Sequence, residues 1–364
     1  MQSAAAIVLV IVLLAGGGFP VSSTWAGESA LVVTSPAPAA PDAGNLAGML
    51  GRLPDLPLGK EGATVTYADI VAQAAALGVA PPRGIVDVKG RAAWVGVIQT
   101  LRAPESSGRH WALPEWREAF GFDVFQVGQA AENAAPPFSL TVLRGTFDAA
   151  EPRAAWRRAG YQPIDLGAGE AYAVRDDYEI DFTDPGSRMA LSHLNVVAFA
   201  NDGTLLCGSS RDGVRAALAA TAGQGPSFAG RADVAPLIRA APRGLVSALL
   251  FHGALLQALP DPAEAVLQDE APAAFATRVA AEQREAQCLP PVIAALLGQT
   301  AGRFPADAGQ QTSTATPGAP ARLVVLLTMM GPDAAAEAAA VIAERLATQQ
   351  PSARERGIGG PVLG

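Results

Sequence analysis

The sequence is poor in charge. Only 16% of its 364 residues are Asp, Glu, Lys or Arg, and Lys60 and Lys89 are its two lysines. Acidic residues outnumber basic ones, 34 to 26, which gives a formal net charge of −8. Because a nucleic-acid-binding domain carries an excess of basic residues, we exclude nucleic acid as a partner. Half of the residues are apolar, which excludes intrinsic disorder, since disordered chains combine low hydrophobicity with high charge.

Histidine and cysteine are also scarce. The three histidines, His110, His193 and His252, are far apart, and none lies in an HxH, HExxH or Cys/His cluster, so a metal site with nitrogen or sulfur ligands has no local support. The two cysteines, Cys207 and Cys288, form no CxxC pair. In an exported protein an even number of cysteines favours a disulfide. We therefore expect either a Cys207–Cys288 disulfide or two buried free thiols.

The longest apolar run lies at the N-terminus, where every residue from Ala4 to Ala15 is apolar. Such a run before small residues at positions 24 and 26 predicts a signal peptide, cleaved after Ala26, although no Lys or Arg precedes it. Residues 4–19 also reach the lower limit for a membrane anchor, and a buried N-terminal element is a third interpretation. We expect the protein to be exported and extracytoplasmic, or anchored to the membrane by residues 4–19, with no other part of the chain in contact with the membrane.

The rest of the chain divides by composition. Residues 27–57 are rich in Ala, Pro and Gly and predict a linker. We expect two α/β subdomains, 58–229 and 230–348, the second containing a mobile loop at 298–320, and then a flexible tail at 349–364. SLTVLRGTFDAAE and RLVVLLTMMGPDAAAE share one plan of strand, turn and helix. The two subdomains are therefore either related or alike by chance.

Local signals predict an α+β fold with mainly antiparallel sheets and Ala-rich helices packed on one face. The turn at 201–203, Asn-Asp-Gly, predicts a hairpin. Ser210 predicts the N-cap of a helix that ends near Gly223. The run RAAWVGVIQT, residues 91–100, indicates a strand, and Ala171 to Phe182 indicates the second strand of a further hairpin.

Acidic residues cluster in the segment RDDYEIDFTD. Its alternating acidic side chains are Asp177, Glu179 and Asp181, and the apolar side chains between them are Tyr178, Ile180 and Phe182. Clustered carboxylates favour calcium, but the spacing does not fit an EF-hand loop. The period of two also fits a strand whose apolar face is buried and whose acidic face is solvated. We keep both interpretations, with the three acids as calcium candidates.

No recognisable catalytic motif stands out. Ser209 lies between a predicted strand and a predicted helix, as in a nucleophile elbow, but CGSSRDG is not GxSxG. A hydrolase that uses Ser209 with His252 or His193 is therefore an alternative, and no catalytic, cofactor-binding or phosphate-binding residue is assigned. Five aromatic residues at irregular spacing predict either a ligand-stacking platform or, more in keeping with such spacing, part of a core. They are Trp94, Trp111, Trp116, Phe120 and Phe122.

The motifs AFGFDVFQV, PPFSLTVLRGTFD, AGYQ and NDGTLLCGSS stand in an order that resembles a group of exported bacterial proteins of unknown function, over about residues 50–250. The resemblance implies a hydrophobic N-terminus, a Pro/Ala linker and α/β units, and it implies no activity. We therefore expect a non-enzymatic extracytoplasmic module that binds a protein or a small ligand in the cell envelope and needs no cofactor. A hydrolase and a calcium-stabilised envelope protein are the alternatives.

Overall fold

One antiparallel sheet organises the chain. The computed structural model describes residues 7–14, 30–34, 44–56, 64–82, 86–101, 109–252, 277, 292–301, 322–329 and 332–348. Twelve strands in these ranges form the sheet, and all of their pairings are antiparallel. The strands are β1 (Ile7–Leu14), β2 (Ala30–Thr34), β3 (Thr64–Asp69), β4 (Val127–Ala135), β5 (Phe138–Gly145), β6 (Gln162–Ile164), β7 (Glu170–Ala173), β8 (Val196–Phe199), β9 (Leu205–Gly208), β10 (Leu245–His252), β11 (Val292–Thr300) and β12 (Arg322–Met329).

The strand order is β2-β1-β12-β11-β10-β3-β4-β5-β9-β8-β7-β6. From the central β10–β3 pair, two triplets run outward in matching order: β3, β4 and β5 on one side, β10, β11 and β12 on the other. Because β10 and β3 are antiparallel, the two triplets match in strand order and alternate in direction outward from this pair. This arrangement agrees with the shared plan of the segments SLTVLRGTFDAAE and RLVVLLTMMGPDAAAE, whose apolar runs lie in β5 and β12.

Helices cover both faces of the sheet. The α-helices are α1 (Gly44–Leu50), α2 (Ile70–Leu77), α3 (Val88–Gln99), α4 (Pro114–Phe120), α5 (Ala150–Arg158), α6 (Pro185–Ala190), α7 (Arg211–Thr221), α8 (Ala235–Ala240) and α9 (Pro332–Thr348). Helices α1, α7 and α8 pack on one face, α2 to α6 on the other, and α9 on that second face over β12, β1 and β2. Adjacent residues of a strand lie on opposite faces. Ala131 and Val142 belong to the apolar core beneath α1, α7 and α8, whereas Ala130 and Leu143 belong to the core beneath α2 to α6.

The α+β class with an antiparallel sheet is therefore confirmed, while the helices occupy two faces where one was expected. The reason lies in the strands. Val196, Val197, Ala198 and Phe199 are all buried, and a strand that is apolar at successive positions needs cover on both sides.

The first correction concerns the predicted linker at 27–57, because its residues 30–34 form β2 and its residues 44–56 also belong to the fold. Leu46, Met49 and Leu50 on α1 and the following Leu53 are buried in the core. Their spacing of three and four places them on one helical face. The backbone oxygen of Leu53 also accepts the Phe228 N–H at 2.9 Å.

A second correction concerns residues 91–100, which belong to α3 and not to a strand. The Asp87 carboxylate caps this helix by accepting the Gly90 N–H at 2.9 Å. Trp94 and Val97, three residues apart, are its buried face, so the apolar spacing is helical. Downstream, residues 298–300 of the predicted mobile loop belong to β11, and the rest of that loop falls almost entirely outside the described residues.

Other local predictions are confirmed. The turn after β8 has Gly203 at φ 81°, and the Asp202 carboxylate accepts the Thr204 N–H at 3.0 Å before β9 begins. The Ser210 hydroxyl accepts the Gly213 N–H at 3.2 Å and so caps α7. Gly223, at φ 69°, follows the end of that helix.

The N-terminal apolar run forms β1, which pairs with β12 along eight residues and with β2 along five. None of the helices in the described ranges has the length and apolar character needed to cross a membrane. The signal peptide and the anchor stay predictions, and the predicted tail at 349–364 lies outside the described residues.

Candidate interaction surface

The segment after β7 turns away from the sheet instead of continuing as a strand. β7 ends at Ala173, and Tyr178 has a positive φ of 65°, which a strand does not allow. The bend is held from a distance, because the Asn195 amide donates to the backbone oxygens of Asp176 at 3.0 Å and of Glu179 at 2.8 Å. The predicted strand to Phe182 is therefore wrong beyond Ala173.

The result is an exposed apolar segment, residues 176–191, which we call the apolar loop. The exposed fractions are 42% for Tyr178, 39% for Ile180, 67% for Phe182 and 44% for Leu191. The prediction that Tyr178, Ile180 and Phe182 form a buried face is wrong, because the turn directs them to solvent.

Two arginines hold the base of the apolar loop. The Arg211 guanidinium binds the Asp177 carboxylate at 2.9 Å and the backbone oxygen of Arg175 at 3.1 Å. Arg175 is largely buried and pairs with Asp184 at 2.9 Å. Because charged hydrogen bonds of this length are the strong ones, the loop is exposed and fixed at the same time.

The acidic side chains of this loop serve the loop itself. Asp181 accepts the N–H and the hydroxyl of Thr183 at 2.8 and 2.6 Å, and these bonds lower the pKa of its carboxyl group. Glu179 accepts the Asp176 N–H at 3.2 Å. In the described part of the chain no three His, Cys, Asp or Glu side chains are grouped to hold a metal, so Asp177, Glu179 and Asp181 are not assembled as calcium ligands.

Ser209 is a structural residue. It is fully buried, and its hydroxyl accepts the Ser139 N–H at 2.9 Å and donates to the Ser139 oxygen at 3.3 Å. The Ser209 backbone oxygen accepts the Tyr178 N–H at 2.8 Å. A nucleophile needs access to substrate and a base within hydrogen-bond reach, whereas this hydroxyl is enclosed and used twice.

Glu132 on β4 carries a buried carboxylate, and the residue is 1% exposed. No sequence motif marks this residue. It lies 3.9 Å from Nδ1 of His193 and 3.4 Å from the Thr141 hydroxyl. The strand register sets Thr66, Glu132, Thr141 and Cys207 side by side across the sheet. For the other two histidines, His110 and His252, the structure describes the backbone alone.

Cys207 is buried, and burial raises the pKa of its thiol group. Cys288 lies outside the described residues, so the disulfide stays a prediction.

The aromatic group is part of the core. Trp111 and Trp116 stack with ring centroids 5.4 Å apart, and Phe122 meets both edge-on. Trp94 and Phe120 are buried in the same cluster. Packing, and not ligand stacking, accounts for these side chains.

Comparisons with known proteins give little. No family model matches the chain, and no curated protein matches it. One solved structure, titled as crystal form I of TP0453, aligns with 81% of this chain and 96% of its own, at a TM-score of 0.31 and 11% identity. A likeness of that size bears on neither fold nor function.

Proposed function

We propose that this protein is a non-enzymatic extracytoplasmic binding module, which contacts a protein partner through the apolar loop. The observation that carries the proposal is the exposure of four large apolar side chains on one fixed segment, with Phe182 67% exposed. Single exposed apolar residues are ordinary, whereas grouped ones mark interaction sites. Export is inferred from the apolar run before Ala26.

The chemistry around the loop favours a protein over a lipid surface. Asp176 is 90% exposed and Glu179 is exposed beside the apolar side chains. Interfaces combine an apolar, aromatic-rich centre with a polar rim, and this loop has both parts. Carboxylates are repelled by anionic membranes. The partner we expect has an apolar pocket bordered by Arg or Lys.

Contacts with the rest of the chain hold the loop in its exposed shape. Tyr178 and Leu191 adopt φ values of 65° and 50°, and such strain in residues other than glycine costs about 1–3 kcal/mol each. The anchors at Asn195, Arg175 and Arg211 hold the strained shape. A fixed loop loses little conformational entropy on association, which favours affinity.

Site-specific photo-crosslinking in cells that produce the protein tests this function. A photoreactive amino acid replaces Phe182, and the control places it at Val86, which is 90% exposed and outside the loop. We expect one defined protein adduct from position 182, absent from position 86, and lost when Ile180→Asp is added. Identical adducts from both positions, or adduct formation with lipid only, would overturn the proposal.

A further inference from the structure

A concavity lies between α4 and α5, with a volume of about 450 Å³. Its apolar walls include Leu113, Pro114 and Ala154, and three arginines from three helices line it, Arg91, Arg117 and Arg158. We call it the arginine groove. No residue of the apolar loop lines it, and its volume falls within the ~300–1,000 Å³ typical of small-ligand sites.

Arg91 lies largely buried in this groove, with its guanidinium 3.9 Å from the ring centroid of Phe125. Its hydrogen-bonding partners are distant. Asp123 Oδ2 lies 3.8 Å from Nη1, and the backbone oxygen of Ala112 lies 3.4 Å from Nη2. Charge-assisted hydrogen bonds are about 2.7–2.9 Å long. A guanidinium placed over a ring, with such long contacts, has donors available to a ligand.

The neighbouring charges do not satisfy these donors. Asp123 is shared with Arg117, at 3.5 Å, and its other oxygen accepts the Phe125 N–H. Glu151 is taken by Arg117 at 2.8 Å. Arg158 has no ion-pair partner within the described part of the chain, and Glu118 is an exposed side chain on the groove wall. The groove therefore offers more N–H donors than its own oxygens use.

We propose that the arginine groove binds a small amphipathic anion, a molecule with one carboxylate or phosphate head and an apolar tail. Arg91 and Arg158 bind the head, because a guanidinium matches the two oxygens of such a group. The tail packs on Leu113, Pro114 and Ala154. Neither this site nor its ligand class depends on the function proposed for the apolar loop.

Isothermal titration calorimetry with decanoate, below its micelle concentration, tests the site. Decyl phosphate tests whether a phosphate head binds as well as a carboxylate head. Acetate lacks the apolar tail, and decyltrimethylammonium has a positively charged head in place of the negatively charged one. Arg158→Gln removes a guanidinium that has no described partner. The matched control is Arg153→Gln on the same helix, whose guanidinium binds Glu170 outside the groove.

We expect decanoate or decyl phosphate to bind the full chain. Affinity should fall about tenfold in Arg158→Gln and stay unchanged in Arg153→Gln. Ala154→Phe, which fills the groove from an exposed helix position, should abolish binding while circular dichroism stays native. The proposal is overturned if neither anion binds, if both arginine variants bind equally well, or if decyltrimethylammonium binds as tightly as the anions.

Discussion

Gly121 ends α4 at the point where this helix meets α5, and its replacement by alanine tests the packing that shapes the arginine groove. Its φ is 75°, in the region that side chains disfavour. A Cβ built there would lie 2.4 Å from Cα of Pro152 and 2.6 Å from the backbone oxygen of Glu151. Both neighbours are backbone atoms of the first turn of α5, which cannot move away without shifting the helix.

The expected loss combines two effects. The left-handed conformation costs alanine about 1–2 kcal/mol, and forcing a methyl group into a packed site costs about 1–3 kcal/mol more. Gly121→Ala should therefore lower the free energy of unfolding by about 2–5 kcal/mol. Gly160→Ala is the matched control at the other end of α5, because Gly160 has φ 86° and nothing within 4 Å of a built Cβ. It should lose only the conformational part, about 1–2 kcal/mol.

Urea unfolding followed by tryptophan fluorescence measures both variants, and buried Trp116 on α4 lies close enough to report the change. The difference between the two losses in the free energy of unfolding gives the steric cost of a methyl group where α4 closely approaches α5. Equal midpoints for the two variants would refute the reasoning, because the steric contribution would then be zero.

Two further predictions concern buried residues near the end of β9, Cys207 within the strand and Ser209 directly after it. Ser209→Ala should lower the free energy of unfolding by about 1–3 kcal/mol, since the Ser139 N–H would be left buried without its acceptor. In the native protein, a serine-reactive probe should not label Ser209. Labelling at this residue would restore the hydrolase alternative. Because burial raises the pKa of the Cys207 thiol, N-ethylmaleimide should modify this thiol at pH 8 only after the protein is unfolded. The reaction with the unfolded protein should need no added reductant. If it does need a reductant, the disulfide with Cys288 is established instead.

Features decided by neighbouring residues were predictable from the sequence. The turn at Gly203, the cap at Ser210 and the helix end at Gly223 each depend on backbone conformations within a few residues. The class of the fold was also predictable, because short apolar runs between turn signals indicate antiparallel strands.

Features decided at a distance were not. The alternation of acidic and apolar residues from Asp177 to Phe182 fits a strand, but Asn195 takes two backbone oxygens of that segment and bends it. Leu53 looked like part of a Pro-rich linker because its partner, Phe228, lies far along the chain.

The arginine groove escaped prediction for the same reason. Arg91 and Arg158 are far apart in sequence and stand in no motif. Arg91 lies on α3 and Arg158 on α5, and only the tertiary structure brings them to one concavity. Sequence spacing carries no information about such a meeting of separate helices.

The β3–β10 pair at the centre of the sheet has a consequence for how the chain reaches its native state. The register joins Thr64 to Phe251, about 190 residues apart. The entropy of closing so long a loop is lost before any contact across this seam forms, and folding slows as contacts become less local. During synthesis β3 must wait, unpaired on that side, until β10 has emerged. We expect β3 and β10 to pair late in folding. Until then the unpaired edge of β3 is the place where a protecting chaperone would be needed.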